Sequence, residues 1–222
     1  MLHALSPLFT AFSTERDETL PYPVVQPHQT HGDRVVRVDR FMSREELEGV
    51  DALVTDVPGL AIGVRTADCI PVLVCDPVTG ACAAIHAGWR STVQHIAAKA
   101  MESLTANYGS RPNDLLALIG PGIGPDSFQV GDEVVEVFRD AGFVMDAISR
   151  HDGPRVDGTM QGGWHIDLWE ANRRTLLECG IPEGQIAVSG ICTYTHNDRF
   201  YSARREGIRC GRIINAIRRN DR

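Results

Sequence analysis

The chain has 222 residues, 43% of them apolar and 23% charged, enough for one domain, or at most two small ones, around a sizeable core. This composition excludes a coiled coil, a collagen-like chain and wholesale disorder, and no apolar run approaches the roughly 20 residues that span a bilayer. A net charge of −7, from 22 Lys and Arg against 29 Asp and Glu, gives no general attraction to a phosphate backbone or an anionic membrane, so neither nucleic acid nor membrane is expected as a partner.

Met1-Leu2-His3-Ala4-Leu5-Ser6-Pro7 lacks the basic start and unbroken apolar stretch of a signal peptide. Six cysteines (Cys69, Cys75, Cys82, Cys179, Cys192 and Cys210) without an export signal point to reduced thiols in the cytoplasm. None forms a CxxC pair, which excludes a zinc ribbon and a redox motif. Basic residues collect near the end of the chain, in Arg199, Arg204, Arg205, Arg209, Arg212, Arg218, Arg219 and Arg222. They read as a solvated end that balances an acidic body.

No repeat, low-complexity tract or long linker interrupts the sequence, so residues 1–222 are read as a single domain. Residues 1–30 are expected to be irregular, because Pro7, Pro21, Pro23 and Pro27 break any helix. Arg34–Val38 is a strand candidate, and Ser43 with Glu46 resembles a capping box opening a brief helix through Glu48. Three β-rich runs follow, Ala52–Thr55, Leu60–Val64 and Pro71–Cys75, then an Asp-Pro-Val-Thr-Gly turn and a fourth run, Ala81–His86.

Ser91 is the expected cap of a helix running to about Asn107, with Val93, Ile96, Ala97, Ala100 and Leu104 at helical spacing. Leu115–Ile119 reads as a buried strand ending in a Gly-Pro-rich turn. Glu133–Asp140 is the next helix, with Val134, Val137 and Phe138 on one face. Residues 142–163 read as loop. Asp167–Glu178 is a long amphipathic helix stopped by Gly180 and Pro182. Ile186–Ser189 returns as a strand, and Arg199–Ser202 is a further strand candidate. Helices and strands mix without strict alternation, which predicts an α+β fold with a mixed β-sheet and packed helices.

Three segments place metal-binding or nucleophilic side chains beside strand ends: Gln29-Thr30-His31-Gly32, Thr66-Ala67-Asp68-Cys69-Ile70-Pro71 and Ile85-His86-Ala87-Gly88-Trp89-Arg90-Ser91. A hairpin between the third and fourth β runs brings Cys69 and His86 together, and His31 arrives from the N-terminal segment. A thiolate and two imidazoles supply three ligands and leave a fourth tetrahedral position open, the pattern of a catalytic zinc site. A single His or Cys on a strand is commonly a core or surface residue, and spacing alone leaves both readings open.

These segments, with Asp51-Ala52-Leu53-Val54-Thr55, Ile119-Gly120-Pro121-Gly122-Ile123, Cys192-Thr193 and Phe200-Tyr201-Ser202-Ala203-Arg204-Arg205, resemble the YfiH family, also labelled the polyphenol-oxidase or DUF152 family. The likeness runs from about Gln29 to Gly211. It implies that His31, Cys69 and His86 bind zinc, with copper the lesser alternative. It also implies a purine nucleoside phosphorylase acting on adenosine, inosine and 5′-methylthioadenosine with phosphate, and an adenosine deaminase activity in the same site. Phe128-Gln129-Val130 stands where the family carries Tyr-Glu-Val, and Thr19-Leu20-Pro21 where it carries an N-terminal Ser-Leu-Asn-Leu-Gly stretch.

In phosphorolysis the site must hold an anion, assist the leaving purine and exclude water. Arg90 is the first candidate for the phosphate, because a guanidinium forks onto phosphate oxygens, and Arg65, Arg204 and Arg205 follow. Asp68 is the candidate acid or base, with orientation of a metal ligand as its other reading. Gln29 either orients substrate or bonds to backbone. The Gly120–Gly124 segment lacks dinucleotide-binding spacing and reads as a tight turn.

Three rivals share these residues. Cys69 with His86 also suits a cysteine hydrolase, such as a peptidoglycan-precursor editing enzyme. A copper laccase would need His-x-His pairs that the eight histidines do not form. A degenerate purine-binding module would bind without turnover.

Overall fold

Between Ala52 and Ala87 the sequence has runs with hardly a polar side chain, and such runs are stable only in a sheet covered on both faces. In the computed structural model, which describes residues 1–3, 5–152 and 162–221, they form the centre of a six-stranded mixed sheet. Its strands in spatial order are β12 (Ile186–Val188), β8 (Leu116–Ile119), β6 (Ile70–Cys75), β7 (Cys82–Ala87), β4 (Ala52–Thr55) and β3 (Val35–Arg37). The expected hairpin is β6–β7, with Ile70 opposite Ala87 and Pro71 opposite His86. Every residue of these two strands is buried.

The two faces of this sheet are covered differently. One packs against helices α1 (Trp89–Val93), α2 (Ile96–Tyr108) and α5 (Leu168–Glu178), where Ile96, Ala100 and Leu104 meet Val54, Val72, Val74 and Ile85. The alternate residues, Leu53, Leu73, Cys75 and Ala84, point the other way, as a period of two requires. They pack on a second, antiparallel sheet of β1 (Leu2–His3), β2 (Phe9–Ser13), β13 (Ile213–Arg219) and β5 (Ile62–Thr66). A small third sheet joins β10 (Ser149–His151), β11 (Trp164–Ile166) and β9 (Gln129–Val130). The remaining helices are α3 (Asp132–Asp140), α4 (Met145–Ile148) and α6 (Ala203–Glu206). The architecture is α+β with a mixed sheet, as expected.

Several local expectations are corrected. Residues 1–30 contain β1 and β2, because the prolines fall outside Phe9–Ser13, whose residues are alternately buried. The solvated basic end is instead partly β13, the strand between β2 and β5. Its buried Asn215 accepts from Ser13 Oγ at 2.6 Å and donates to Thr66 Oγ1 at 2.9 Å. Arg218 lies over the ring of Tyr22, 4.3 Å from its centroid. Both bonds of the Ser43–Glu46 box form, at 3.4 and 2.8 Å, yet they close a turn and no helix. One turn does not repay nucleation, and His28 draws Glu48 into a bridge.

The helix expected from Ser91 to Asn107 is two helices, divided by His95 at φ 57°. His95 donates from Nε2 to the Ala141 carbonyl at 3.0 Å and stacks on Phe143. Ser91 lies inside α1, whose N-cap is Gly88. In α3 the buried residues are Val135 and Phe138, while Val137 is exposed. The stretch 142–163 holds α4 and β10, and its residues 153–161 lie outside the described residues. Arg199–Ser202 is no strand, and Ser202 caps α6 by accepting from the Arg205 amide.

Leu73 is 1% exposed between the two large sheets. Leu73→Ala is expected to destabilise the fold by about 2–5 kcal/mol, the range for a buried leucine truncated to alanine. Urea unfolding of the two proteins measures it.

Candidate metal centre and its pocket

The β6–β7 register places Cys69, one residue before β6, beside His86 near the end of β7. His31 joins them from the segment before β3, on a left-handed backbone at φ 62°. One nitrogen or sulfur from each of the three residues lies within 4.8 Å of the others. The His31 and His86 ring centroids are 4.9 Å apart at 70°.

Asp51, fully buried immediately before β4, holds this arrangement. Its Oδ1 accepts from His86 Nδ1 at 2.8 Å and from the His31 amide at 3.0 Å. Its Oδ2 accepts from the Thr30 and Gly32 amides at 3.1 and 2.9 Å. The carboxylate therefore fixes the proton of His86 on Nδ1 and leaves Nε2 for the cluster. Burial pushes the Asp51 carboxyl up, but the bonds from His86 and Gly32 outweigh it and the net shift is down.

The thiol of Cys69 is similarly balanced. Burial raises it, while the charge of His86 and hydrogen bonds with His31 and His86 hold it at about 6. Burial lowers the His86 imidazole, and Cys69 and Asp51 more than reverse that, to about 9. Cys75, by contrast, is pushed up to about 12, chiefly by burial. Space is also matched to the cluster. A Cβ on Gly88 would stand 2.9 Å from Cys69 Sγ and 3.1 Å from His31 Cδ2, so only glycine lets the two ligands approach.

The cluster opens into a cavity of about 760 Å³. Of the residues expected from the sequence, Gln29, Arg65, Asp68, Arg90 and Arg204 line it together with His31, Cys69 and His86. Arg205 does not line it, and its Nη1 donates to the Tyr194 carbonyl at 3.0 Å. Gln29 is engaged with backbone, donating to the Arg65 carbonyl and accepting from the Arg65 amide, both at 2.8 Å. Arg90 is exposed, with its guanidinium 4.2 Å from the Trp89 ring centroid. Trp89, Ile123 and Phe128 supply apolar wall.

Asp68 has a strained backbone at φ 86°, an arrangement costing about 1–3 kcal/mol. Its Oδ1 accepts from Thr193 Oγ1 at 2.7 Å and its Oδ2 from the Arg204 amide at 2.6 Å. It thereby ties the approach to β6 to the segments behind the cavity. The Gly120–Gly124 segment is not the tight turn expected: Gly122 forms a parallel bridge with Cys192 and Ile123 donates its amide to the Asp68 carbonyl at 2.8 Å, while the turn follows at residues 125–127.

Sequence reasoning missed Asp51, Gly88, Arg44, Arg209 and Arg212 at this site. The signal for Asp51 was an acid opening an otherwise apolar strand. The three arginines had no local signal.

Helix α6 is held in place by Glu206, which accepts from Arg16 at 3.0 Å, Asn197 at 2.7 Å and the Ser202 amide at 3.1 Å. These bonds, the one from Arg16 first, bring its carboxyl from 4.5 down to about 2. A carboxyl lowered on folding contributes stability that is complete above its ordinary value and lost as pH falls through the folded one. Stability measured between pH 5 and 2 should therefore decline less steeply in Glu206→Gln than in the wild type over the window from 4.5 to about 2.

Residues 13–220 match the family described as multi-copper polyphenol oxidoreductase laccase. A purine nucleoside phosphorylase of Bacteroides thetaiotaomicron is 45% identical over 205 residues, which cover 89% of this chain and 74% of that protein. Adenosine deaminase RL5, from an unknown prokaryotic organism, is 42% identical over 203 residues, 88% of this chain and 75% of that one. The crystal structure of the hypothetical protein YfiH from Bacillus licheniformis superposes with a TM-score of 0.79 at 34% identity, covering 88% of this chain and 73% of that one. With this match across the fold and the His–Cys–His cluster, the chain belongs to the YfiH (DUF152) family.

Proposed function

We propose that the chain is a zinc-dependent purine nucleoside phosphorylase acting on adenosine, inosine and 5′-methylthioadenosine, with adenosine deamination in the same cavity. The observation that carries this reading is the cluster of His31, Cys69 and His86 opening into an arginine-lined cavity of about 760 Å³, in a chain whose relatives are named for these two activities. The donor set, two imidazoles and a thiol held low, suits zinc with one position left for substrate or water. When bound, the metal supplies a Lewis acid for the reacting oxygen or nitrogen.

The protein's own groups divide the remaining work. Arg90 and Arg204 hold phosphate for attack on C1′ of the ribose, and the C1′–N9 bond breaks as the purine leaves. Asp68, the one carboxylate lining the cavity among the described residues, moves the proton the purine gains, fixed in place by Thr193 and the Arg204 amide. Trp89 and Phe128 give the base apolar surface. Gln29 acts at one remove, by clamping the Arg65 backbone. Arg205 is assigned no contact with substrate. The reading takes residues 1–222 as one domain, working in the reducing cytoplasm on small molecules alone. None of the described helices is long and apolar enough to cross a membrane.

A second reading has its own observation. A Cys69 thiol held at about 6 beside His86 is also what a cysteine hydrolase requires. A thiolate bound to metal is a poor nucleophile, so metal content separates the two. The copper oxidase reading is disfavoured, because His31, Cys69 and His86 are the single such ligand group among the described residues.

Elemental analysis of the wild type should find about one zinc per chain, the content expected of a single three-ligand site, and Cys69→Ala should lose it. Metal-loaded protein should release adenine from adenosine only with phosphate present, and inosine without it. Arg90→Ala should raise the KM for phosphate about 10- to 100-fold, as loss of a charge-assisted contact predicts. Metal-loaded protein that released neither adenine nor inosine would end the proposal.

Asp51→Asn keeps the side-chain shape but removes the charge that His86 and three amides share. Zinc affinity, measured by chelator competition, should fall about 10- to 100-fold, as for other groups that orient a metal ligand.

A further inference from the structure

Two groups assigned to the reaction above, the metal ligand His31 and the cavity residue Arg90, come from separate segments, neither of them a strand. His31 sits in an exposed loop at φ 62°. Such a backbone is sparsely populated for any residue but glycine and persists only where its neighbours hold it. Arg90 is on α1, a helix of five residues, too short to be stable through its own hydrogen bonds. The Arg90 guanidinium rests 4.2 Å from the Trp89 ring centroid, so its place at the cavity follows that of the α1 backbone.

One side chain ties the two together. Gln94 ends α1, is exposed, and does not line the cavity. Its Nε2 donates to the Arg90 carbonyl at 2.8 Å and to the His31 carbonyl at 3.3 Å. A carboxamide nitrogen carries two hydrogens, one for each carbonyl, and because both neighbours are acceptors it is the nitrogen that must face them. The Arg90 carbonyl is one of the last four of the helix, the groups that a helix end leaves in need of a partner. The His31 backbone is held from both sides, since its amide donates to the buried Asp51 Oδ1 at 3.0 Å and its carbonyl accepts from Gln94. The start of α1 meets the same residue, because a Cβ on its N-cap Gly88 would stand 3.1 Å from His31 Cδ2. Lys99 of α2 pairs with Asp33, two residues on.

We propose that Gln94 is a positioning residue that couples His31 to Arg90, so that the residue ligating the metal and the residue holding phosphate keep one fixed separation. This rests on the zinc phosphorylase reading above and adds to it a residue outside the cavity. Gln94 touches neither the metal nor the substrate and acts only through its two N–H donors. Without them the His31 carbonyl and the end of α1 move independently. Phosphorolysis is sensitive to that freedom, because its rate depends on holding the attacking anion in register with the rest of the site.

The test compares the full chain with Gln94→Met, which keeps the length and helix propensity of the side chain and has no donor. Zinc affinity is measured by chelator competition, and kcat and the KM for phosphate at saturating zinc. Zinc affinity should fall and the KM for phosphate should rise, each about three- to tenfold, the factor of one neutral hydrogen bond, with kcat changed less. In an Arg90→Ala background the same replacement should leave the KM for phosphate where it is and still weaken zinc, the non-additivity of groups that act as a unit. A merely structural role would lower the melting temperature and move neither constant, and that result would overturn the inference. An equal effect on the KM for phosphate with and without Arg90 would overturn it too. A wild-type chain that binds no zinc, or releases no purine with phosphate, would remove the phosphorylase reading itself before any variant is compared, and this inference with it.

Discussion

A buried carboxylate carries the rest of this site. Asp51 has no exposure to solvent, where an ionised acid without partners is strongly disfavoured. It is stable there because three amides and the His86 imidazole surround it. The same bonds that solvate the charge fix the geometry of the cluster. They hold the His31 loop in its left-handed turn and set the tautomer of His86. Metal-ligand geometry and the burial of a charge are therefore coupled at one residue, and His86 is not positioned by its strand alone.

The two-sheet architecture explains why that carboxylate can sit where it does. β4 and β7 are covered by helices on one side and by the β2–β13–β5 sheet on the other, so the ends of their strands are rigid. The cavity forms at one such end, where the approaches to β6, α1, α6 and β13 converge. Strain is concentrated there as well. Among the described residues four non-glycine positions have positive φ, and two of them, His31 and Asp68, belong to this wall. Each is held by hydrogen bonds from separate segments, which is how a sparsely populated backbone conformation persists.

Electrostatics set the cavity apart from the chain as a whole, with six arginines and one carboxylate among the described residues that line it. The chain carries −7 overall, yet the wall around the cluster is strongly positive. The low-lying Cys69 thiol owes its shift to His86 and His31, against the effect of burial. Cys75, at the far end of β6, is raised chiefly by burial instead. Two thiols at opposite ends of β6 thus differ in chemistry because of their surroundings.

By itself the sequence determined the elements whose burial is written in local periodicity. The apolar runs became β4, β6, β7 and β8, and the spacing of Cys69 and His86 specified their meeting across the β6–β7 hairpin. Asp167 and Gly180 marked the ends of α5, the first by accepting from the Glu170 amide and the second at φ 91°. What only the tertiary structure decided are the pairings between segments far apart in the chain. β13 reads as a basic tail until β2 and β5 enclose it, some 200 residues apart in the case of Asn215 and Ser13. The division of α1 from α2 depends on a contact from His95 to Ala141. The meeting of Arg65 and Arg212 at the cavity depends on the pairing of β5 with β13. Periodicity reports whether a side chain is buried, whereas the identity of its partner follows from loop closure and sheet order, which no local window of sequence contains.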